Sequence, residues 1–87
     1  MATSTAELVG KVKGIQGVSD QLSTMIGYSS LELQKSAATL AALTQGSRSG
    51  EEATNAVRTA SGSLNKAALS LRELVNSCDE FIQNAVK

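Results

Sequence analysis

Apolar residues recur along the chain at alternating steps of three and four, the spacing of a helix that supercoils against a neighbour. In the second half the recurrence is unbroken, through Ala53, Val57, Ala60, Leu64, Ala67, Leu71, Leu74, Cys78, Phe81 and Ala85. The first half follows the same spacing, through Leu8, Val12, Ile15, Leu22, Ile26, Leu33, Ala37 and Leu40, with Ser19 and Ser29 or Ser30 in the gaps. No stretch alternates apolar and polar residues as a strand would. The pattern predicts two long helices, and the absence of Pro agrees with it.

Capping patterns mark where each helix begins and where the first one ends. Ser4 with Glu7, and Ser49 with Glu52, fit the capping box that opens a helix. Gly46, within the turn pair Gln45-Gly46, suits the left-handed residue that closes one. We therefore expect one domain over residues 1–87, with a helix over about 5–45, a turn over about 46–49 and a helix over about 50–86. The fold class is all-α, an antiparallel two-helix hairpin similar to a coiled coil.

The segment around Gly27 allows an alternative. Gly27 can interrupt a helix, and Ser29 with Glu32 forms a third capping box. A kink or break there would give three helices instead of two. The apolar spacing stays in phase on both sides of Gly27, which favours a continuous helix.

The apolar arc of each helix is wider than the seam of a two-stranded coiled coil. Apolar residues flank the main pattern on both helices, at Val9, Val18, Met25, Ala68, Val75 and Ile82. Such width is typical of helices in a bundle of three or more. We therefore predict that a helical partner, in a hetero-oligomer or else a homodimer, completes the bundle. The predicted partner interface consists of Leu8, Val12, Ile15, Leu22, Ile26, Leu33, Leu40, Val57, Leu64, Leu71, Leu74, Val75, Phe81 and Ile82.

Composition argues against catalysis and against a bound cofactor or metal. The chain has no His and one Cys, so the common zinc ligand sets and Ser-His-Asp or Cys-His catalysis are missing from it. Cys78 falls on the apolar pattern and is expected to be a small buried residue. The eight basic residues equal the eight acidic ones, so no cationic face is expected for nucleic acid. We predict a protein that is not an enzyme, needs no cofactor and binds no nucleic acid.

Targeting features are also missing from the sequence. The longest apolar runs are too short to insert in a membrane, and the N-terminus lacks the basic and apolar regions of a cleaved signal peptide. We expect a cytoplasmic protein, or one secreted without a cleaved signal peptide.

This combination of two long helices, few aromatic residues and no signal peptide resembles the WXG/ESAT-like helical hairpins of bacterial type VII secretion. At the turn, Thr44-Gln45-Gly46 keeps the Gly of the family's Trp-Xaa-Gly and lacks the Trp. At the C-terminus, Phe81 is similar to the aromatic residue of the family's export signal, whereas Ala85 stands where that signal has an acid. These departures favour the small helical targeting partners of LXG toxins, with Phe81 as a remnant of an export signal.

The resemblance implies a non-enzymatic adaptor that binds the helical N-terminal domain of a toxin for type VII secretion. An alternative is a self-assembling structural or signalling coiled coil without cargo, because the Ala/Ser-rich pattern around Ala67 and Ala68 also resembles chemotaxis-type signalling helices. A subunit of a helical filament is a third possibility.

Overall fold

The computed structural model describes residues 4–86, which form two long helices joined by a short turn. Helix α1 spans Thr5–Leu43 and helix α2 spans Arg48–Ala85. The two helices pack along each other in a rod of 65 × 19 × 14 Å. The all-α prediction and the two-helix hairpin are confirmed. Within the described residues, neither helix is long and apolar enough to cross a membrane.

Serine side chains cap the start of both helices. Ser4 Oγ accepts a hydrogen bond from the Glu7 backbone N–H at 3.1 Å, as the capping pattern predicts. The cap of α2 is Ser47, whose Oγ accepts from the Gly50 N–H at 3.1 Å. The prediction of Ser49 as this cap was wrong. Gly46, with φ +85°, reverses the chain directly after α1, so Ser47 already stands where the new helix can begin.

Helix α1 is continuous through Gly27, so the alternative of three helices is wrong. A side chain at Gly27 would meet no atom within 4 Å, so no close approach requires a glycine at this position. Ile26 and Ser30, on either side of it, both face α2 and keep the helix packed across this point. Packing of these neighbours offsets the low helix propensity of one glycine, which is about 1 kcal/mol below that of alanine.

Three side-chain hydrogen bonds across the hairpin show how the antiparallel helices are aligned. Gln16 Nε2 donates to Val75 O at 3.2 Å, and Ser23 Oγ donates to Ala68 O at 3.1 Å. Ser30 Oγ donates to Ser61 O at 3.0 Å. From one bond to the next, the position moves one heptad forward on α1 and one heptad back on α2. The two helices therefore keep one constant alignment between residues 16–30 of α1 and 61–75 of α2.

Candidate partner-binding face

The contact between α1 and α2, which we call the seam, is built from small side chains. Its buried members are Ser19, Ser23, Ser30 and Ala37 on α1, and Gly50, Thr54, Ser61, Ala68 and Cys78 on α2. No large side chain among the described residues is fully buried. Small side chains let the helix axes approach closely, but they remove little apolar surface from water. The seam therefore contributes less hydrophobic stabilisation than a seam of Leu and Ile would.

At the middle of the seam, two serines are hydrogen-bonded to each other. Ser30 Oγ donates to Ser61 O, and Ser61 Oγ donates to Ser30 O, both at 3.0 Å. The two hydroxyl oxygens are 3.1 Å apart. Each helix thus offers a hydroxyl to a backbone carbonyl of the other, which compensates for burying the polar groups. The pair contributes alignment of the helices more than apolar burial.

Other buried hydroxyl groups are satisfied within their own helix. Ser19 Oγ donates to Ile15 O at 2.7 Å, and Thr54 Oγ1 donates to Gly50 O at 2.8 Å. Such bonds to the carbonyl four residues earlier are common for Ser and Thr inside helices. Among the described residues, no buried side-chain nitrogen or oxygen lacks a hydrogen-bond partner.

Half-buried apolar residues complete the seam on each helix. They are Val9, Val12, Ile26, Leu33 and Leu40 on α1, and Val57, Leu64, Leu71, Val75 and Ile82 on α2. Together with the buried positions they recur at steps of three and four along both helices.

On each helix the sequence pattern placed one column, meaning a set of residues spaced seven apart, incorrectly in the seam. On α1 the column is Leu8, Ile15 and Leu22, which are exposed, while Val9, Gln16 and Ser23 are buried or half-buried in their place. The same applies to α2. Ala53, Ala60 and Ala67 were expected in the same seam as Val57 and Leu64, but all three are exposed. Thr54, Ser61 and Ala68, one residue further along, are buried in their place. Hydroxyl groups can occupy this contact because carbonyl oxygens of the facing helix accept from them, as Ser61 shows.

The structure divides the predicted partner interface into two sets. Nine of the residues are half-buried in the seam, where they contact the other helix of the same chain: Val12, Ile26, Leu33, Leu40, Val57, Leu64, Leu71, Val75 and Ile82. The other five, Leu8, Ile15, Leu22, Leu74 and Phe81, are large apolar residues with 41–52% of their surface exposed. A partner chain can reach the second set directly, whereas contact with the first set is limited by the hairpin itself.

The five exposed residues belong to two columns on one side of the rod, which we call the apolar face. The face consists of Leu8, Ile15, Leu22, Ser29, Ser36 and Leu43 on α1, and Ala53, Ala60, Ala67, Leu74 and Phe81 on α2. Each column lies directly before a buried column of its helix. Because the helices are antiparallel, these columns flank the seam on the same side. A shallow groove on this side is bordered by both helices and is lined by Glu32, Lys35, Ser36, Thr39, Leu40, Leu43 and Val57.

The two columns of the apolar face contain no charged residue, and the nearest charges are Lys11, Glu32 and Lys35, which line the grooves beside the α1 column. Val18 and Met25 widen it on α1, and both are more than half exposed. Leu8, Ile15, Leu22, Leu74 and Phe81 lie towards the open end of the hairpin, whereas the half towards the turn has alanines and serines together with Leu43. Exposed apolar surface of this kind is common at the interaction sites of proteins.

The opposite flank of the seam is polar. Its columns contain Lys13, Asp20 and Gln34 on α1, and Arg58, Asn65, Arg72 and Asp79 on α2. A concavity on this side is lined by Gly27, Asn65 and Arg72 from both helices. From the alignment at Gln16 and Val75, Lys13 lies level with Asp79, and Asp20 lies level with Arg72. The charged and polar residues of this flank distinguish it clearly from the apolar face.

The remaining candidate residues lie at the two ends of the rod. Gln45 and Gly46 form the exposed turn, and Gly46 has the left-handed conformation that its position predicts. Phe81, the proposed remnant of an export signal, lies on the apolar face near the open end, with 43% of its surface exposed. Cys78 is buried in the seam, which confirms its predicted environment.

The positions in the seam of Gln16, Ser23, Thr54 and Ser61 were not predicted from the sequence. Their signal was the heptad spacing of polar residues, since Gln16, Ser23 and Ser30 recur every seven positions, as do Thr54 and Ser61. Polar residues at heptad spacing are normally assigned to a solvated side of a helix, so this column was passed over.

Comparison with known proteins identifies no relative: no family model, no curated protein and no solved structure matches the chain.

Proposed function

We propose that the chain is a non-enzymatic helical adaptor that binds the helical N-terminal domain of an LXG-type toxin for type VII secretion. The partner would lie along the apolar face and complete a helical bundle. The hairpin would then act as a targeting factor that helps to present the toxin to the secretion machinery.

One observation supports the binding part of this proposal: the buried positions of the seam hold small residues, whereas five large apolar residues on one side of the rod stay exposed. Burying a Leu or Phe side chain fully is worth about 1.5–3 kcal/mol. In the isolated hairpin, much of that stabilisation is missing at five residues that each keep at least 41% of their surface exposed, namely Leu8, Ile15, Leu22, Leu74 and Phe81. A partner helix with an apolar stripe would recover it.

The secretion part of the proposal is supported by shape and by the sequence resemblance. Two helices of 39 and 38 residues and a glycine at the turn fit the small helical hairpins of that system. The polar flank and the exposed turn leave one long apolar side for cargo.

Co-purification tests the proposal. The chain is co-expressed with the N-terminal domain of the LXG-type toxin encoded nearest to it, and the complex is isolated through a tag on the toxin. The wild-type chain should be retained, and Leu74→Asp should abolish retention because the new carboxylate would be buried without a partner. Leu69→Asp is the control, since Leu69 is an exposed leucine of α2 outside the apolar face, with 51% of its surface exposed against 41% for Leu74, and it should be retained.

Leu71→Asp would be a poor choice for this experiment. Leu71 is half-buried in the seam, so its replacement would disturb the hairpin itself. If the wild-type chain is not retained and its deletion leaves toxin export intact, the alternative of a self-assembling coiled coil without cargo is favoured. Retention of Leu74→Asp at the wild-type level would refute the apolar face as the binding surface.

A further inference from the structure

We propose that the hairpin has a second packing, in which each helix rotates about its own axis and the apolar face becomes buried between α1 and α2. We call the packing described above the observed packing and the second one the rotated packing. The rotation hides the apolar face within a single chain. It is a property of the hairpin alone and goes beyond the adaptor function.

One column of each helix can remain in the contact in both packings. These shared columns are Val12, Ser19, Ile26, Leu33 and Leu40 on α1, and Gly50, Val57, Leu64, Leu71, Cys78 and Ala85 on α2. On one side of each shared column lies the column that completes the observed seam, with Ser23 on α1 and Ala68 on α2. On the other side lies the column of the apolar face. Neighbouring columns are about 50° apart around a helix with a seven-residue repeat, so a rotation of that size exchanges one for the other.

The rotation requires almost no sliding of one helix along the other. Gln16 is hydrogen-bonded to the carbonyl of Val75 in the observed packing. Ile15 and Leu74 each lie one residue earlier, so at about 1.5 Å per residue they are within about 3 Å of the same height on the rod. Because both apolar-face columns lie on the same side, rotation of the two helices in opposite senses brings Ile15 and Leu74 together. The same step gives two further contacts: Leu8 with Phe81, and Leu22 with Ala67.

The two packings exchange hydrogen bonds for apolar burial. The observed seam has hydroxyl bonds between the helices at Ser23, Ser30 and Ser61. Rotation would return these hydroxyls to water, which satisfies them as well, so their net loss is small. In exchange it would bury five large apolar residues that are now 41–52% exposed, namely Leu8, Ile15, Leu22, Leu74 and Phe81.

Part of this apolar gain is offset, which keeps the two packings close in free energy. Val9, Val75 and Ile82 are half-buried in the observed seam and would move towards solvent. Each packing thus has large apolar residues in the contact that the other lacks. Packed interfaces of this kind adopt discrete alternative arrangements and do not deform continuously.

The turn restricts the rotation at one end of the rod. Thr44 lies against Gly50 so closely that a side chain at Gly50 would overlap it. We therefore expect the rotation to be largest towards the open end. Leu8, Ile15 and Phe81, which gain most from it, lie in that half of the hairpin.

The rotation would regulate access to the apolar face. A helical partner can bind the face in the observed packing only, so binding would shift the hairpin towards that packing. The apparent affinity would be lower than the intrinsic one by the fraction of hairpins in the observed packing. This consequence rests on the proposed function, whereas the rotation does not.

Disulfide formation between pairs of introduced cysteines tests the rotation. With Cys78→Ala as the background, Ser23→Cys with Ala68→Cys reports the observed packing, and Ile15→Cys with Leu74→Cys reports the rotated one. The matched control is Asp20→Cys with Arg72→Cys, because these residues lie level on the polar flank, outside the contact in both packings.

The rate of intramolecular disulfide formation in a redox buffer is followed by mass spectrometry, and circular dichroism verifies that each variant stays helical. Both reporter pairs should form the disulfide. The Ile15/Leu74 pair should form it at least about tenfold faster than the control pair, because only residues brought into contact reach disulfide geometry.

Two substitutions at Ala60 separate the rotation from general loosening of the hairpin. Ala60 is exposed in the observed packing and belongs to the contact in the rotated one. Ala60→Leu adds apolar burial to the rotated packing alone and should speed disulfide formation by the Ile15/Leu74 pair about fivefold. Ala60→Lys would bury a charge there and should slow it about fivefold or more. Ser63→Lys, at an exposed serine outside both contacts, is the control and should leave the rate unchanged.

Equal rates for the Ile15/Leu74 pair and the control pair would overturn the inference, as would the same rate with leucine, lysine or alanine at position 60. A chain that behaves as predicted in these experiments but does not retain the toxin domain would refute the proposed function and leave the rotation standing. A chain that retains the toxin domain while its Ile15/Leu74 pair reacts no faster than the control would refute the rotation alone.

Discussion

The turn provides a sharp test of the packing, because two glycines of α2 should respond to alanine in opposite ways. Gly62 is exposed, and a methyl group there would meet no atom within 4 Å. Gly50 is buried, and a methyl group there would overlap Cβ and Oγ1 of Thr44 and lie 3.0 Å from its Cγ2. Since the Thr44 Cβ is fixed to the backbone, rotation of its side chain cannot remove the overlap.

The magnitudes follow from these two environments. Alanine is about 0.8–1 kcal/mol more favourable than glycine inside a helix, so Gly62→Ala should raise the free energy of unfolding by up to that amount. At Gly50 the same gain is outweighed by overpacking, which typically costs about 1–3 kcal/mol. We expect Gly50→Ala to lower the free energy of unfolding by about 1–2 kcal/mol. In a domain of this size, 1 kcal/mol shifts the melting temperature by about 4–8 °C.

Urea unfolding followed by far-ultraviolet circular dichroism measures both variants against the wild-type chain at one protein concentration. The concentration is fixed because association would add its own stabilisation. Equal effects of the two substitutions, or a stabilising effect of Gly50→Ala, would show that the turn does not hold Thr44 against α2 as described.

The seam and the caps give further expectations. Ser30→Ala and Ser61→Ala should each lower the free energy of unfolding by about 0.5–1.5 kcal/mol. The double variant should lower it by less than the sum of the two single effects, because the hydroxyl oxygens are 3.1 Å apart and coupled. Urea unfolding of the three variants measures this. Ser47→Ala should cost about 1 kcal/mol by removing the observed cap of α2, whereas Ser49→Ala should cost far less in the same assay. Cys78 should react with a thiol reagent much more slowly in the folded chain than in urea, since it is buried in the seam.

Each of these expectations has a result that contradicts it. Additive losses at Ser30 and Ser61 would mean that the two hydroxyls act independently. A larger decrease in the free energy of unfolding for Ser49→Ala than for Ser47→Ala would show that Ser49, as predicted from the sequence, caps α2. Fast modification of Cys78 under native conditions would show that the seam opens at the free end.

The sequence was sufficient to predict the helical hairpin, because apolar spacing, missing Pro and Ser caps all act locally. The Ser4 cap and the left-handed Gly46 follow from the same local rules. Ser47 was missed because the capping box at Ser49 has the better sequence match, while the sharp turn at Gly46 lets the helix begin earlier.

The composition of the seam could not be predicted from hydrophobicity. The rule that apolar residues lie inside assigns Ala60 and Leu74 to the contact and Ser61 to the surface, and the structure has the reverse. Hydroxyl groups on facing helices satisfy each other's backbone carbonyls only once the two helices are aligned, as Ser30 and Ser61 show. That alignment depends on both helices together, so it cannot be predicted from the hydrophobicity of single residues. Because the buried columns lie one residue after the predicted ones, large apolar residues of the predicted columns are exposed and form the apolar face.

The most direct test of the central claim, that the apolar face is the binding surface, is titration calorimetry of two matched variants with the toxin domain. Ile15 and Leu31 both lie on α1 and are 52% and 53% exposed, but only Ile15 is on the apolar face. Ile15→Asp should weaken binding by about a hundredfold, equivalent to about 2.7 kcal/mol, while Leu31→Asp should bind as tightly as the wild-type chain. Equal binding by Ile15→Asp and the wild-type chain, or loss of binding with Leu31→Asp alone, would contradict the account.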